Sequence, residues 1–124
     1  MLCEDDPGVR AAFTGFIREV AANMNSAVFA FADGEAAIAS LTEREYDLAI
    51  IDVALGRMSG YHVVEATRRV SPKTKIVVCS GAVTPELATE AKAAGADWVV
   101  AKSFDFYDQI VPVLEEAFRA KPTG

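Results

Sequence analysis

The 124-residue chain predicts a three-layer α/β sandwich, a five-stranded parallel sheet covered by helices on both faces. Two observations carry this. Short runs rich in Val, Ile and Phe alternate five times with longer stretches whose apolar residues recur three and four apart, which is βα repeated five times. The short runs are also continuously apolar, as strands buried on both faces and joined by right-handed helical crossovers must be. The length suits one domain, taken as residues 1–124 with no output domain, the closing AKPTG reading as a terminus or the stub of a linker.

The elements follow in order. MLCE opens as the first strand, and a helix over 7–22 starts at Asp6-Pro7, an acceptor side chain followed by proline at the first helical position. AVFAFA is the second strand. The pair Asp33-Gly34 could close a hairpin, but Ala36, Ala37, Ile38 and Leu41 follow at helical spacing, so it starts a helix over 34–43. DLAIID is the third strand, followed by a helix over 60–70. KIVVCS is the fourth, followed by a helix over 85–95 opened by Thr84-Pro85 and stopped at Gly95. DWVVAK is the fifth, followed by a helix over 106–120.

Composition excludes some classes of function. With 12 basic and 18 acidic side chains the formal net charge is −6, and no stripe of Lys or Arg forms, so the chain alone offers no nucleic-acid footprint. No apolar run approaches the roughly 20 residues that cross a bilayer, and no signal peptide opens the chain, so no membrane partner is expected. Cys3 and Cys79 sit in strand-like apolar company and read as reduced core thiols of a cytoplasmic protein. His62 has no ligand partners at metal spacing and reads as a surface or capping residue.

In such sheets the site lies outside the carboxyl ends of the strands, where strand order reverses. Glu4-Asp5-Asp6, Asp52, Ser80 and Lys102 each end a different strand and therefore share one rim. Carboxylates converging there repel one another, and the remedy is a hard divalent cation with oxygen ligands, Mg²⁺. A lysine and a hydroxyl on the same rim add donors for oxygens that are not the protein's own. Together they suit a transferred phosphoryl group, with a carboxylate oxygen as nucleophile. Taken singly, Asp52 also admits the reading of a loop-start aspartate capping the following turn, and Lys102 that of a solvated surface lysine, so the weight lies in the set.

Through EDDPGVR, the DG pair, DLAIIDVALGRMSG, KIVVCSGA and AGADWVVAKS, the chain resembles the receiver domain of two-component response regulators from end to end. The spacings from Asp52 to Gly60, from Asp52 to Ser80 and from Ser80 to Lys102 are the specific part. The resemblance implies the flavodoxin-like, CheY-like sheet order 2-1-3-4-5. It makes Asp52 the phosphoacceptor, receiving phosphate in a Mg²⁺-dependent reaction from a sensor histidine kinase or phosphotransfer protein. Arg10, five positions after Asp5, places the family's acidic pair at Glu4 and Asp5 and leaves Asp6 as a helix N-cap. By the same comparison Glu4, Asp5, Asp52 and the backbone carbonyl of Ala54 hold the metal, while Ser80 and Lys102 meet phosphoryl oxygens. The face made by the fourth helix, fifth strand and fifth helix would then bind a downstream target or a second copy. Such a protein is a phosphoacceptor, not a turnover enzyme on a separate substrate.

The chain departs from the family in several places. Val99 stands where an aromatic often swings inward on phosphorylation, with Trp98 one residue earlier, and both become candidates for the partner interface. Ser103 replaces a common proline after the lysine, so no cis peptide is expected there. Ala54 and Ala82 occupy the two positions that tune dephosphorylation, and Gly56 replaces a frequent proline, which loosens the loop after Asp52. Residues around AANMNSA lengthen the first helix or its following loop. A phosphatase of the haloacid-dehalogenase type would need a second aspartate at Ala54, and a flavodoxin-like cofactor binder would need a phosphate loop where this chain has carboxylates. The alternative that survives is a receiver-like interaction module that works without phosphorylation.

Overall fold

The computed structural model describes residues 1–22, 26–103 and 105–119. Among these residues ten elements alternate: β1 (Leu2–Cys3), α1 (Pro7–Ala22), β2 (Ala30–Phe31), α2 (Gly34–Ser40), β3 (Leu48–Asp52), α3 (Gly60–Val70), β4 (Lys75–Ser80), α4 (Pro85–Ala94), β5 (Trp98–Ala101) and α5 (Phe106–Arg119). The strands form one sheet in the order β2-β1-β3-β4-β5, and every pairing between them is parallel. This is the three-layer arrangement with the order expected from the sequence.

Alternation along each strand divides the apolar residues between two cores. Cys3, Ala49, Ile51, Ile76 and Val78 face α2, α3 and α4, where Ala37, Leu41, Val63, Val64 and Ala91 meet them. Leu2, Leu48, Ile50, Val77, Cys79 and Val100 face α1 and α5, meeting Phe13, Ile17, Phe106, Ile110 and Leu114. Both cysteines are free and buried. Among the described residues no helix is long and apolar enough to cross a membrane.

The helix starts read from the sequence carry the caps they imply. Asp6 Oδ1 accepts the Val9 N–H at 2.9 Å, Asp33 Oδ1 accepts Ala36 N–H at 2.7 Å, and Thr84 Oγ1 accepts Leu87 N–H at 3.1 Å. Gly95 ends α4 at φ 122°, in the left-handed region open to glycine.

Several boundaries differ from expectation. β2 is two residues instead of six, because its partner β1 is equally short and only Leu2↔Ala30 and Cys3↔Phe31 can pair. α2 ends at Ser40, where the Leu41, Thr42 and Glu43 N–H groups reach back three residues and tighten the last turn. The extra residues expected around AANMNSA fall partly outside the described residues, as do residue 120, placed at the end of the last helix, and the AKPTG ending.

Candidate functional site

The carboxyl ends of β1, β3, β4 and β5 open on one rim. Register decides which side chains meet there: Cys3 pairs with Ile51, Asp52 with Cys79, and Ser80 with Ala101. The residue after β1 is therefore Glu4, beside Asp52 at the end of β3, and the residue after β5 is Lys102, held to the sheet by its N–H bond to the Ser80 carbonyl at 2.7 Å. Carboxylate oxygens of Glu4, Asp5 and Asp52 all lie within 4.8 Å of one another. Glu4 is 1% exposed and Asp52 5%, while Asp5 is exposed.

Lys102 joins the two buried carboxylates. Its Nζ donates to Glu4 Oε1 at 2.7 Å and to Asp52 Oδ2 at 2.9 Å. The other Asp52 oxygen, Oδ1, accepts the Ala54 backbone N–H at 3.1 Å. Burial drives the Glu4 carboxyl above its ordinary range; the hydrogen bond from Lys102 opposes this and the neighbouring Asp52 adds to it. Burial alone would lower the Lys102 ammonium, but its bonds to Glu4 and Asp52 outweigh that and hold it above its ordinary value. The site thus gathers more negative charge than one ammonium balances. A set of three carboxylates at this spacing fits a hard divalent cation.

The turn after β3 is shaped around a glycine. Gly60 N–H bonds to the Val53 carbonyl at 2.8 Å, and a Cβ on Gly60 would stand 2.0 Å from the Asp52 carbonyl oxygen. No side chain fits there, which is the physical content of the Asp52-to-Gly60 spacing. The bridge between Ala54 and Ser59 closes the loop, and Ser59 caps α3 by accepting Tyr61 N–H at 3.2 Å.

Ser80 shares the rim but not the network. Its Oγ donates to the Ala82 carbonyl at 3.0 Å and accepts the Ala82 N–H at 3.3 Å, a local turn at the start of the β4–α4 loop. Val99 faces the α2, α3 and α4 side, half-buried. Trp98, on the edge strand, packs its half-buried side chain against the α1 and α5 core, in keeping with partial burial at a sheet edge. His62 is exposed. The Lys102–Ser103 peptide is trans, and the Ser103 hydroxyl donates to the Asp105 carboxylate.

In the sequence Arg10 stands out only by its spacing from the acidic pair. In the structure its Nη1 donates to the backbone carbonyls of Glu4 at 3.0 Å and Asp5 at 3.3 Å. No side-chain pattern announces a bond to a carbonyl, so spacing could not have shown it.

The family model for the response regulator receiver domain matches residues 1–113. The transcriptional regulatory protein ZraR of Salmonella typhimurium is 31% identical over 92 residues, 73% of this chain and 21% of that protein. The chemotaxis protein CheY of Thermotoga maritima is 28% identical over 72 residues, 58% of this chain and 60% of that one. The chain therefore spans from about a fifth to three-fifths of these curated relatives. The solved structure of Vibrio cholerae chemotaxis protein CheY4 superposes with a TM-score of 0.81 at 25% identity, covering 94% of each chain.

Proposed function

The chain belongs to the response regulator receiver domain family, and from that premise we propose that it is a phosphorylation switch whose phosphoacceptor is Asp52. One observation carries the reading: three carboxylates within 4.8 Å of one another, two of them buried, share a rim with the Lys102 ammonium. A structural ion pair needs one carboxylate for one ammonium. A surplus of buried negative charge suits a site that awaits a cation and a phosphoryl group.

In this reading an Asp52 carboxylate oxygen attacks phosphorus in the phosphohistidine of a sensor kinase or phosphotransfer protein. The P–O bond forms as the P–N bond breaks; the electron pair stays on the imidazole, which takes up a proton from solvent. Glu4, Asp5, Asp52 and the Ala54 carbonyl would hold Mg²⁺, which supplies charge neutralisation for the phosphoryl oxygens. Lys102, already 2.9 Å from Asp52 Oδ2, is placed to donate to a phosphoryl oxygen in place of a carboxylate. Ser80 reaches the phosphoryl only by giving up its turn with Ala82.

That exchange couples chemistry to the surface. Ser80 pairs with Ala101 and opens the loop into α4, so its movement biases α4, β5 and α5 together. With valine at position 99, loop rearrangement and not an aromatic swing carries the signal. The rearranged face binds a downstream target or a second copy, and the protein works in the cytoplasm as a phosphoacceptor.

Intact-mass spectrometry after incubation with acetyl phosphate and Mg²⁺ tests the reading. A single phosphoryl adduct is expected, absent in Asp52→Asn and in EDTA. Without an adduct on the parent chain the phosphoacceptor reading fails, and the phosphorylation-independent interaction module takes its place. Beryllofluoride with Mg²⁺ is expected to shift amide resonances across residues 80–103; unchanged resonances there would remove the switching part alone.

A further inference from the structure

We propose that Arg10 is a positioning residue for the divalent-cation site, acting through the backbone of the acidic pair. The inference rests on the reading that Glu4, Asp5 and Asp52 hold Mg²⁺.

β1 ends at Cys3, and the last sheet bond made by the segment after it is Glu4 N–H to the Phe31 carbonyl at 3.1 Å. The carbonyls of Glu4 and Asp5 lie beyond the end of β1, the first half-buried and the second exposed. A carbonyl shielded from water and without a donor is costly, so the need is greatest at Glu4. Arg10 supplies the donor. It stands one turn into α1, and helical side chains lean toward the helix N-terminus, so its guanidinium folds back over residues 4–6. One nitrogen, Nη1, takes both carbonyls, at 3.0 and 3.3 Å.

The turn is clasped from two further directions. Asp6 N–H donates to Glu4 Oε2 at 3.3 Å, and Lys102 holds Glu4 Oε1 at 2.7 Å. Those contacts orient Glu4. Among the described residues nothing comparable orients Asp5, whose exposed carboxylate stands within 4.8 Å of the Glu4 and Asp52 oxygens. The Arg10 bond to the Asp5 carbonyl fixes the peptide from which that carboxylate projects.

The sign of the effect separates positioning from electrostatics. A guanidinium near a dication site repels the dication, so if Arg10 acted by charge alone its removal would tighten Mg²⁺ binding. If it positions the ligands, removal weakens binding despite the lost repulsion.

Isothermal titration of Mg²⁺ into the parent chain, Arg10→Ala, Arg10→Lys and Arg18→Ala makes the test. Loss of an outer-shell partner weakens metal sites by about tenfold or more, so Arg10→Ala is expected to raise the Mg²⁺ Kd about tenfold. Arg10→Lys, which keeps the charge but not the planar fork, is expected to fall between it and the parent. Arg18→Ala, which removes an exposed charge further along the same helix, leaves the Kd unchanged or slightly lower. Urea midpoints taken in EDTA run in parallel, because a merely structural role would lower the midpoint without moving the Kd of the folded protein. Phosphorylation by acetyl phosphate should then slow in Arg10→Ala at low Mg²⁺ and recover at saturating Mg²⁺.

A Kd in Arg10→Ala equal to or below that of the parent overturns the proposal. Should that variant fail to fold by circular dichroism, Arg10→Lys decides: a parent-like Kd overturns the proposal and a raised one supports it. A parent chain that binds no Mg²⁺ would defeat the metal-site reading itself, and this proposal with it, an outcome distinct from a parent that binds and an Arg10 variant that binds equally well.

Discussion

Lys102 reaches two carboxylates that burial has stripped of most of their water, and this imbalance gives the rim its character at the scale of single residues. The pH consequence follows from Glu4. Its carboxyl is held above the ordinary value of 4.5, mainly by burial, so the neutral form is the better tolerated one in the folded state. Its contribution to stability is present below 4.5 and is lost as pH rises through the elevated value. Without metal, the parent should therefore lose stability relative to Glu4→Gln as pH rises from 4.5 to neutrality, with urea midpoints in EDTA as the measure; parallel midpoints across that range would contradict it. Lys102→Met removes the ammonium and leaves the pair uncompensated. Breaking a buried ion pair by taking one partner costs several kcal/mol, and with the Lys102 side chain one-fifth exposed the expected loss is about 3 kcal/mol in EDTA. Millimolar Mg²⁺ should restore part of it, since the cation replaces the missing charge.

Among the elements, the β3–α3 connection carries the tightest steric demand. Gly60→Ala would put a methyl 2.0 Å from the Asp52 carbonyl oxygen, and backbone cannot step aside as a flexible side chain can. Overpacking of this kind is expected to cost about 3 kcal/mol, read as a fall in the urea midpoint. Gly15 is the control within one chain. It lies in the middle of α1 with nothing within 4 Å of its would-be Cβ, so Gly15→Ala is expected to stabilise by about 0.5–1 kcal/mol through helix propensity alone. A loss at Gly15, or neutrality at Gly60, would contradict the geometry. At the opposite end of the sheet Arg68 ties elements together: it donates to the carbonyls of Pro72, Thr74 and Gly95 and to the Asp97 carboxylate, whose Oδ2 also accepts the Ile76 N–H. One guanidinium thus pins the end of α3 to the starts of β4 and β5.

For the whole molecule, the sheet is the shared wall of two cores, and each core contains one thiol. Cys3 lies on the α2, α3 and α4 side and Cys79 on the α1 and α5 side. Burial, the leading cause for both, pushes each thiol up to about 12, with nearby carboxylates such as Asp52 adding to the rise. Neither should react with a disulfide reagent at pH 8 in the native state, and both should react in urea. If the cores unfold as one unit, Cys3→Ser and Cys79→Ser variants will each expose their remaining thiol along the same urea transition. Labelling of one thiol at clearly lower urea than the other would mean that a core opens by itself.

Sequence alone determined the class of fold, the five helix starts and the membership of the rim. Apolar periodicity and capping chemistry are local, so Asp6, Asp33, Thr84 and Gly95 act much as they do in any helix, and ending a parallel strand already places a residue at the rim. Spacing also marked Gly60, though only the Asp52 carbonyl pressed against it explains why. Tertiary structure decided the rest. Strand lengths followed from the partner, so the apolar run AVFAFA yields only Ala30–Phe31 beside a two-residue β1. Ser80 turned to Ala82 because a turn two residues away closes without help, whereas Lys102 could meet Glu4, 98 residues distant, only once sheet register had brought their strands together. Arg10 and Arg68 bond mainly to backbone carbonyls. Every residue carries that acceptor, so only the folded chain selects which one is in reach.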